Sequence, residues 1–276
     1  MKNLLASLIS IGCQLARATA LLLGAGAKSP PSMRPPYKTM IDLSVLLPVY
    51  NPSTYPKGWV ERAINSVLWE QPDIEVELCI GDDGSYDKWL DRLTDERIHI
   101  VKVGERPTGG SQAANAAAGI AQGKYFIILS CRSWYEPRSL TAMVKFLDSH
   151  PNIGFVYGDV MKYSQHGGAS YKQARPYNKS VLLQRFPTSF GYMYRRECWD
   201  NGARYGCDVY AEKEGRWVTI GDHFLLAQIV LQGWDGFAMT NLMTLHYQYG
   251  GVEQSNNLLS KYKPKLMKKF NKLLGV

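Results

Sequence analysis

Two adjacent carboxylates, Asp82 and Asp83, end an apolar run in the stretch CIGDDGSYD, Cys79–Asp87. Side by side, two acids can face a ligand, hold a metal ion or address a helix N-terminus. They cannot both be core residues, because burying unpaired carboxylates is costly. The plain alternative has Asp83 or Asp87 alone capping the next helix, which accounts less well for the pair. Gly109-Gly110-Ser111 opens an alanine-rich segment, and a glycine turn before a helix can approach a phosphate. Asp222, in Ile220-Gly221-Asp222-His223, precedes the apolar run Phe224–Leu231. On its own that is the pattern of an N-cap. A lone histidine such as His246 is usually structural, and His99 reads as an ordinary strand residue.

The elements that must carry these groups follow from periodicity. Ile41–Val49 (IDLSVLLPV) reads as a first strand, ending in the turn Pro48-Val49-Tyr50-Asn51-Pro52. Trp59–Leu68 places Val60, Ala63, Ile64, Val67 and Leu68 on one helical face. Ile74–Ile80 is a second strand running into the acid pair, and Asp-Gly-Ser is the turn that ends it. Trp89–Leu93 reads as helix, Ile98–Val103 as a third strand and Gln112–Ala121 as helix. Lys124–Leu129 (KYFIIL) is a buried fourth strand, ending in Ser130-Cys131-Arg132-Ser133-Trp134. Leu140–Leu147 is a helix after Pro137. Alternating strand and helix to about residue 150 predicts an α/β fold with a parallel sheet. Ligands bind beyond the carboxyl ends of such strands, so Tyr50-Asn51, Asp82-Asp83, the loop after Val103 and Ser130–Ser133 line the expected active edge.

The chain has 276 residues, of which 45% are hydrophobic, enough for a sizeable core. Its net charge of +8 favours acidic partners such as a nucleotide, anionic lipid or nucleic acid. The charge is uneven: no Asp or Glu precedes Asp42 or follows Glu253. Five cysteines without a CxxC pair argue against a disulfide framework or a zinc site, and for a reducing compartment.

Taken in order, SVLLPVYN, IGDDGSYD, GGSQAANAAAGIAQGKYFIIL, WYEP, RREC and Gly221-Asp222 with a downstream His246 resemble the motifs of family-2 glycosyltransferases with the GT-A fold. The resemblance covers Ile41 to Gly250. It implies a Rossmann-like, mostly parallel central sheet with helices on both faces. It also implies an enzyme that moves a sugar from a nucleotide-sugar to a hydroxyl, with inversion. By position, Pro48, Tyr50, Asn51, Asp82 and Asp83 would hold the nucleoside, with Tyr50 packed on the base, and Asn115 would face the donor. Asp222 would be the catalytic base, Gly221 replacing the first acid of the family's usual pair. His246 would touch the diphosphate or a metal.

One departure stands out. After the fourth strand the family carries Asp-x-Asp, which binds a divalent cation bridging the donor diphosphate. Here Ser130, Cys131, Arg132 and Ser133 occupy that place and no carboxylate remains in the loop, so a Mg or Mn cofactor lacks its usual ligands and its site is absent or rebuilt from elsewhere. Asp222, His223 and His246 show no metal-site spacing. Two aspartates plus a divalent ion sum to about zero charge, whereas this loop sums to about +1. A guanidinium forks well onto phosphate, so Arg132 could stabilise the leaving diphosphate without metal. The rival expectation is an inactive GT-A relative that binds nucleotide or glycan, or serves as a membrane scaffold.

Gly154–Lys162 reads as an edge strand, Ser164–Asn178 as a mobile loop, and Pro187–Tyr194 as a strand leading into a helix. From Pro264 a basic amphipathic helix is expected, with Leu266, Met267, Phe270, Leu273 and Leu274 on one side. It would lie on an anionic membrane or dock on the domain. Met1–Ala27 is apolar, with three readings: a membrane-associated helix, which is favoured, a signal peptide or an untranslated leader. A proline-rich linker, Lys28–Tyr37, follows. The expected organisation is thus 1–39 as an appendage, 40–250 as the glycosyltransferase domain (halves 40–150 and 151–250) and 251–276 as a basic tail. The expected partners are a nucleotide-sugar, UDP-linked by family habit, and a saccharide or lipid-linked acceptor. The expected location is cytoplasmic, at the inner face of a membrane. No motif for reading nucleic acid is present.

Overall fold

The computed structural model describes residues 41–164, 167–184, 191–248 and 254–275. The strands are β1 (Leu43–Val49), β2 (Val76–Asp82), β3 (Ile98–Lys102), β4 (Tyr125–Ile128), β5 (Ser133–Tyr135), β6 (Ile153–Tyr163), β7 (Ala169–Lys172), β8 (Met193–Arg195), β9 (Asp208–Ala211), β10 (Arg216–Thr219) and β11 (Asp235–Gln248). The helices are α1 (Trp59–Leu68), α2 (Gly110–Ile120), α3 (Ser139–Ser149), α4 (Lys179–Gln184), α5 (Arg196–Asp200), α6 (Gly221–Leu231) and α7 (Gln254–Leu274).

The main sheet runs β3-β2-β1-β4-β8-β6-β11-β5, with β7 on β6. Its first four strands are parallel. β8 and β5 join antiparallel, while β6 and β11 pair parallel. This is the mostly parallel α/β sheet that the strand–helix alternation predicts, extended by a mixed second half. Register sets the rim: Val49 lies opposite Asp82, and the Asp83 amide donates to the Val49 carbonyl at 2.9 Å. Tyr50 and Asp83 therefore leave the sheet side by side.

Side-chain alternation along β1 divides the core. Leu43, Val45, Leu47 and Val49 face α1 and α3. Leu46 faces the other layer, with the alanines of α2 and with Leu225, Leu226, Ile229 and Val230 of α6. Alanines bring α2 unusually close to the sheet. A Cβ added at Gly81 would lie 1.9 Å from the Ala113 carbonyl oxygen, so only glycine fits there. That approach sets the N-terminus of α2 beside the Asp82-Asp83 turn. A third cluster joins the β9–β10 hairpin, Phe224 and Ala227 of α6, and Leu266 and Phe270 of α7.

Four expectations are corrected. Gly154–Lys162 is no edge: β6 lies between β8 and β11. Its glycines permit central packing, because a Cβ at Gly154 or Gly158 would strike Trp234 at 2.5 Å or Thr244 at 2.2 Å. The polar stretch after it contains a strand, β7, whose hydrogen bonds come from the far end of β6. Residues around Trp89–Leu93 form only a 3-10 turn, Leu90–Arg92. The terminal helix starts at Gln254, with Pro264 inside it. Burial of Leu266 and Phe270 against the hairpin holds a helix that the proline would otherwise break. Among the described residues no helix is long and apolar enough to cross a membrane. The expectations for Met1–Ala27, the proline-rich linker and the first half of Pro187–Tyr194 fall outside the described residues; the second half enters β8, which leads into α5 as expected.

Candidate active site

The two rim acids divide their work. Asp82 Oδ1 accepts the Ser85 amide at 2.8 Å and closes the turn after β2. Asp83 reaches across to the loop before α2. Its Oδ1 accepts the Thr108 amide and hydroxyl, both at 2.7 Å, and its Oδ2 accepts the Gly109 amide at 2.9 Å. Both carboxylates are buried and satisfied. Asn51 sits in the left-handed region at φ 46°. Its backbone amide donates to Ser85 Oγ at 2.8 Å and its side-chain carbonyl accepts the Tyr86 amide at 3.0 Å. Pro48 lies in β1 opposite Gly81. The turns after β1 and β2 are thus laced into one unit that leaves the Tyr50 ring exposed.

Beside that ring lies a cavity of about 500 Å³, within the range of small-molecule sites. One wall is Tyr50 and Asp83; a second is Arg106, Pro107, Gly109 and Gly110; a third is Tyr210, Gly215 and Trp217 of the β9–β10 hairpin. Trp217 Nε1 donates to the Pro107 carbonyl at 3.3 Å, and the Tyr210 and Trp217 rings are 5.3 Å apart. The cavity therefore offers aromatic faces, one carboxylate and one exposed guanidinium.

Behind Gly109 stands a second acid pair. Asp208 Oδ1 accepts the Ser111 hydroxyl at 2.6 Å, and its Oδ2 would lie 3.1 Å from a Cβ at Gly109. Ser111 and Thr219 hydroxyls are 3.1 Å apart, and Thr219 Oγ1 accepts the Gly221 amide at 2.8 Å. This chain of bonds ties α2, β9 and β10 to the first turn of α6, which carries Asp222. Burial, and after it the negative charge of Asp208, raise the Asp222 carboxyl to about 6. Its field is felt by the buried hydroxyls of Tyr135, Tyr194 and Tyr205, which burial already pushes up. Asp222 itself keeps part of its surface accessible. A carboxyl near 6 is charged at neutral pH yet basic enough to take a proton, as a general base requires.

The loop after β4 is of another kind. Ser133 Oγ accepts the Ser130 amide and donates to the Ser130 carbonyl, each at 3.1 Å, and Ser130 Oγ accepts the Arg132 amide at 3.3 Å. The Cys131 thiol is buried and pushed up to about 12, so it stays protonated. The Arg132 carbonyl accepts the Gln248 amide at 2.9 Å, and the positive charge of Arg132 opposes the upward shift that burial gives Tyr55. Inward-turned hydroxyls, a neutral thiol and a cation do not fit a divalent metal ion. Among the described residues no group of three or more His, Cys, Asp or Glu could hold one.

Three other candidates have their polar atoms engaged within the fold, and none lines the cavity. Asn115 Nδ2 donates to the Tyr205 carbonyl and Oδ1 accepts the Tyr205 amide, both at 2.9 Å, locking the segment before β9. His223 Nε2 is 2.5 Å from the Leu182 carbonyl, and its ring rests on Phe270. His246 lies between Glu136, 2.5 Å from Nε2, and the Tyr163 hydroxyl, 3.0 Å from Nδ1, and stacks on Trp134. Sequence reasoning missed Arg106, Asp208, Tyr210 and Trp217. Arg106 was within reach, since its loop follows the third strand. Asp208 had no local pattern to mark it.

A sheet rim with a small-molecule cavity, helices on both faces and an acid at the start of α6 define a GT-A type of α/β protein. The chain belongs to glycosyltransferase family 2, whose model, described as Glycosyl transferase family 2, matches residues 44–208. It is 34% identical over 149 residues to the uncharacterized protein y4gI of Sinorhizobium fredii, covering 51% of this chain and 16% of that protein. It is 28% identical over 121 residues to the chondroitin synthase of Pasteurella multocida, covering 42% of this chain and 12% of that one. The chain thus spans only a small part of the length of these relatives. Among solved structures it is similar to S. aureus TarS 1-349 in complex with UDP-GlcNAc, with TM-score 0.60 and 16% identity over 78% of this chain and 61% of that one. That likeness bears on the fold.

Proposed function

We propose that the protein transfers a sugar from a nucleotide-sugar to a hydroxyl group with inversion, Asp222 acting as general base. The observation that carries the proposal is a carboxyl raised to about 6 on a helix whose first turn is tied, through Thr219, Ser111 and Asp208, to the elements that wall a ligand-sized cavity. The donor's nucleoside lies against Tyr50 with Asp83 beneath it. Asp222 takes the proton of the acceptor hydroxyl. The freed oxygen forms a bond to the anomeric carbon while the bond from that carbon to the diphosphate breaks, and the nucleoside diphosphate leaves with the electron pair. Positive charge from Arg132, with Arg106 on the cavity wall, offsets the charge on the leaving group. The reading needs no metal ion. The UDP-GlcNAc named in the TarS complex supports a UDP-sugar donor, and the chondroitin and hyaluronan synthase relatives support a saccharide acceptor.

Replacing Asp222→Asn tests the base. Turnover falls by about 10²–10⁴-fold while affinity for the nucleoside diphosphate stays within about twofold, because Asp222 does not line the cavity. Turnover that survived the substitution would refute the assignment. The carboxylate-free loop after β4 motivates a second reading, a non-catalytic nucleotide or glycan binder. Donor hydrolysis across a nucleotide-sugar panel, with manganese and with chelator, separates the two: hydrolysis of any donor excludes the binder.

A further inference from the structure

We propose that α7 docks on an anionic lipid bilayer through a stripe of four lysines, Lys261, Lys265, Lys268 and Lys272. Their spacing of four, three and four residues keeps them on one helical face. The stripe is about 16 Å long at the rise of an α-helix. All four are exposed. No Asp or Glu occurs in Gln254–Leu274.

The opposite face is already occupied. Leu266 and Phe270 are buried against Cys207, Val209 and Phe224. Among the described residues of the helix Leu273 is the large apolar side chain left exposed, so attachment rests mainly on charge. It is also fixed to the fold. Cys207 Sγ donates to the Leu266 carbonyl at 3.2 Å, and Lys269 Nζ donates to the Asp208 carbonyl at 2.6 Å. The stripe is thus presented rigidly, one strand from the acid pair.

A straight row of like charges suits an extended plane of negative headgroups better than a small anion, which wants converging donors. Lys261 Nζ lies 5.4 Å from the centre of the Tyr262 ring at one end of the stripe; no aromatic or base-reading side chain stands among Lys265, Lys268 and Lys272 on that face, which favours lipid over nucleic acid. The proposal is independent of sugar transfer, because vesicle capture is read without turnover.

The test uses the full chain, vesicles of neutral phosphatidylcholine, and the same vesicles carrying anionic phosphatidylglycerol. Wild type binds the anionic vesicles alone and is released as salt rises. The variant K261Q/K265Q/K268Q/K272Q loses at least about tenfold in affinity, since each lysine near an anionic surface contributes separately. The charge-matched variant K57Q/K88Q/K172Q/K179Q, altered at exposed sites elsewhere, retains binding. So does the arginine version of the stripe, which guards against a folding artefact. Equal binding to neutral vesicles, retained binding after the stripe is removed, equal loss in both glutamine variants, or tighter capture by duplex DNA would each overturn the proposal.

Discussion

The loops after β2 and β4 leave the same rim, and both are closed by short internal hydrogen bonds, yet they carry opposite charge. After β2, Asp82 and Asp83 supply two carboxylates. Asp83 spends its oxygens on Thr108 and Gly109, and so builds the cavity wall. After β4, Ser130 and Ser133 turn inward on each other, Cys131 is buried, and Arg132 is the loop's charge. One loop keeps acids for architecture, and the other has none where the family's metal would sit. What the comparison teaches is that a rim is defined by where its charges are pinned and not merely by how many it has. Asp82 and Asp83 read as ligands in the sequence, but their first partners are backbone amides.

The largest effect that breaks the comparison is steric. Gly81→Ala puts a methyl group 1.9 Å from the Ala113 carbonyl oxygen, so α2 must move away from β2. Stability should fall by about 2–3 kcal/mol, and the Asp83–Gly109 contact should be lost with it. Denaturant melts and nucleotide titration read both. Unchanged stability would mean that α2 does not press on the strand.

A subtler change sharpens the role of the second acid pair. Asp208→Asn keeps an acceptor for Ser111 but removes a negative charge near Asp222. Asp222 is raised first by burial and then by Asp208, so its carboxyl should drop below about 6 without returning to an ordinary value. A base works when deprotonated. The acidic limb of the kcat–pH profile should therefore move to lower pH, by less than about 2 units. A limb that stays in place would remove Asp208 from the electrostatics of the site.

Much of the frame is legible in the sequence. Helix α1 forms over Trp59–Leu68, because five apolar residues at helical spacing admit one packing face. The strand ends at Tyr50, Asp83 and Ser130 fall at one rim, because parallel strands joined by helices leave no other arrangement. The acid partner of Asp222 was not legible. Asp208 lies in a polar stretch, and it meets Ser111, 97 residues earlier in the chain, only through the β9–β10 hairpin. The resemblance turns Asn115 toward the donor, whereas its amide holds the Tyr205 backbone. The central place of β6 is hidden for a related reason, since Gly154 and Gly158 weaken the apolar signal of a strand whose parallel partner, β11, lies some eighty residues away.

The most direct test is calorimetric titration of UDP into the protein in the presence of EDTA, with wild type and Arg132→Ala compared. The account predicts that wild type binds with chelator present, at an affinity that added manganese changes by less than about threefold. Arg132→Ala should weaken binding by about tenfold, equivalent to one charge-assisted contact of about 1.4 kcal/mol. Binding that appears only with manganese, or that ignores the loss of Arg132, would contradict it.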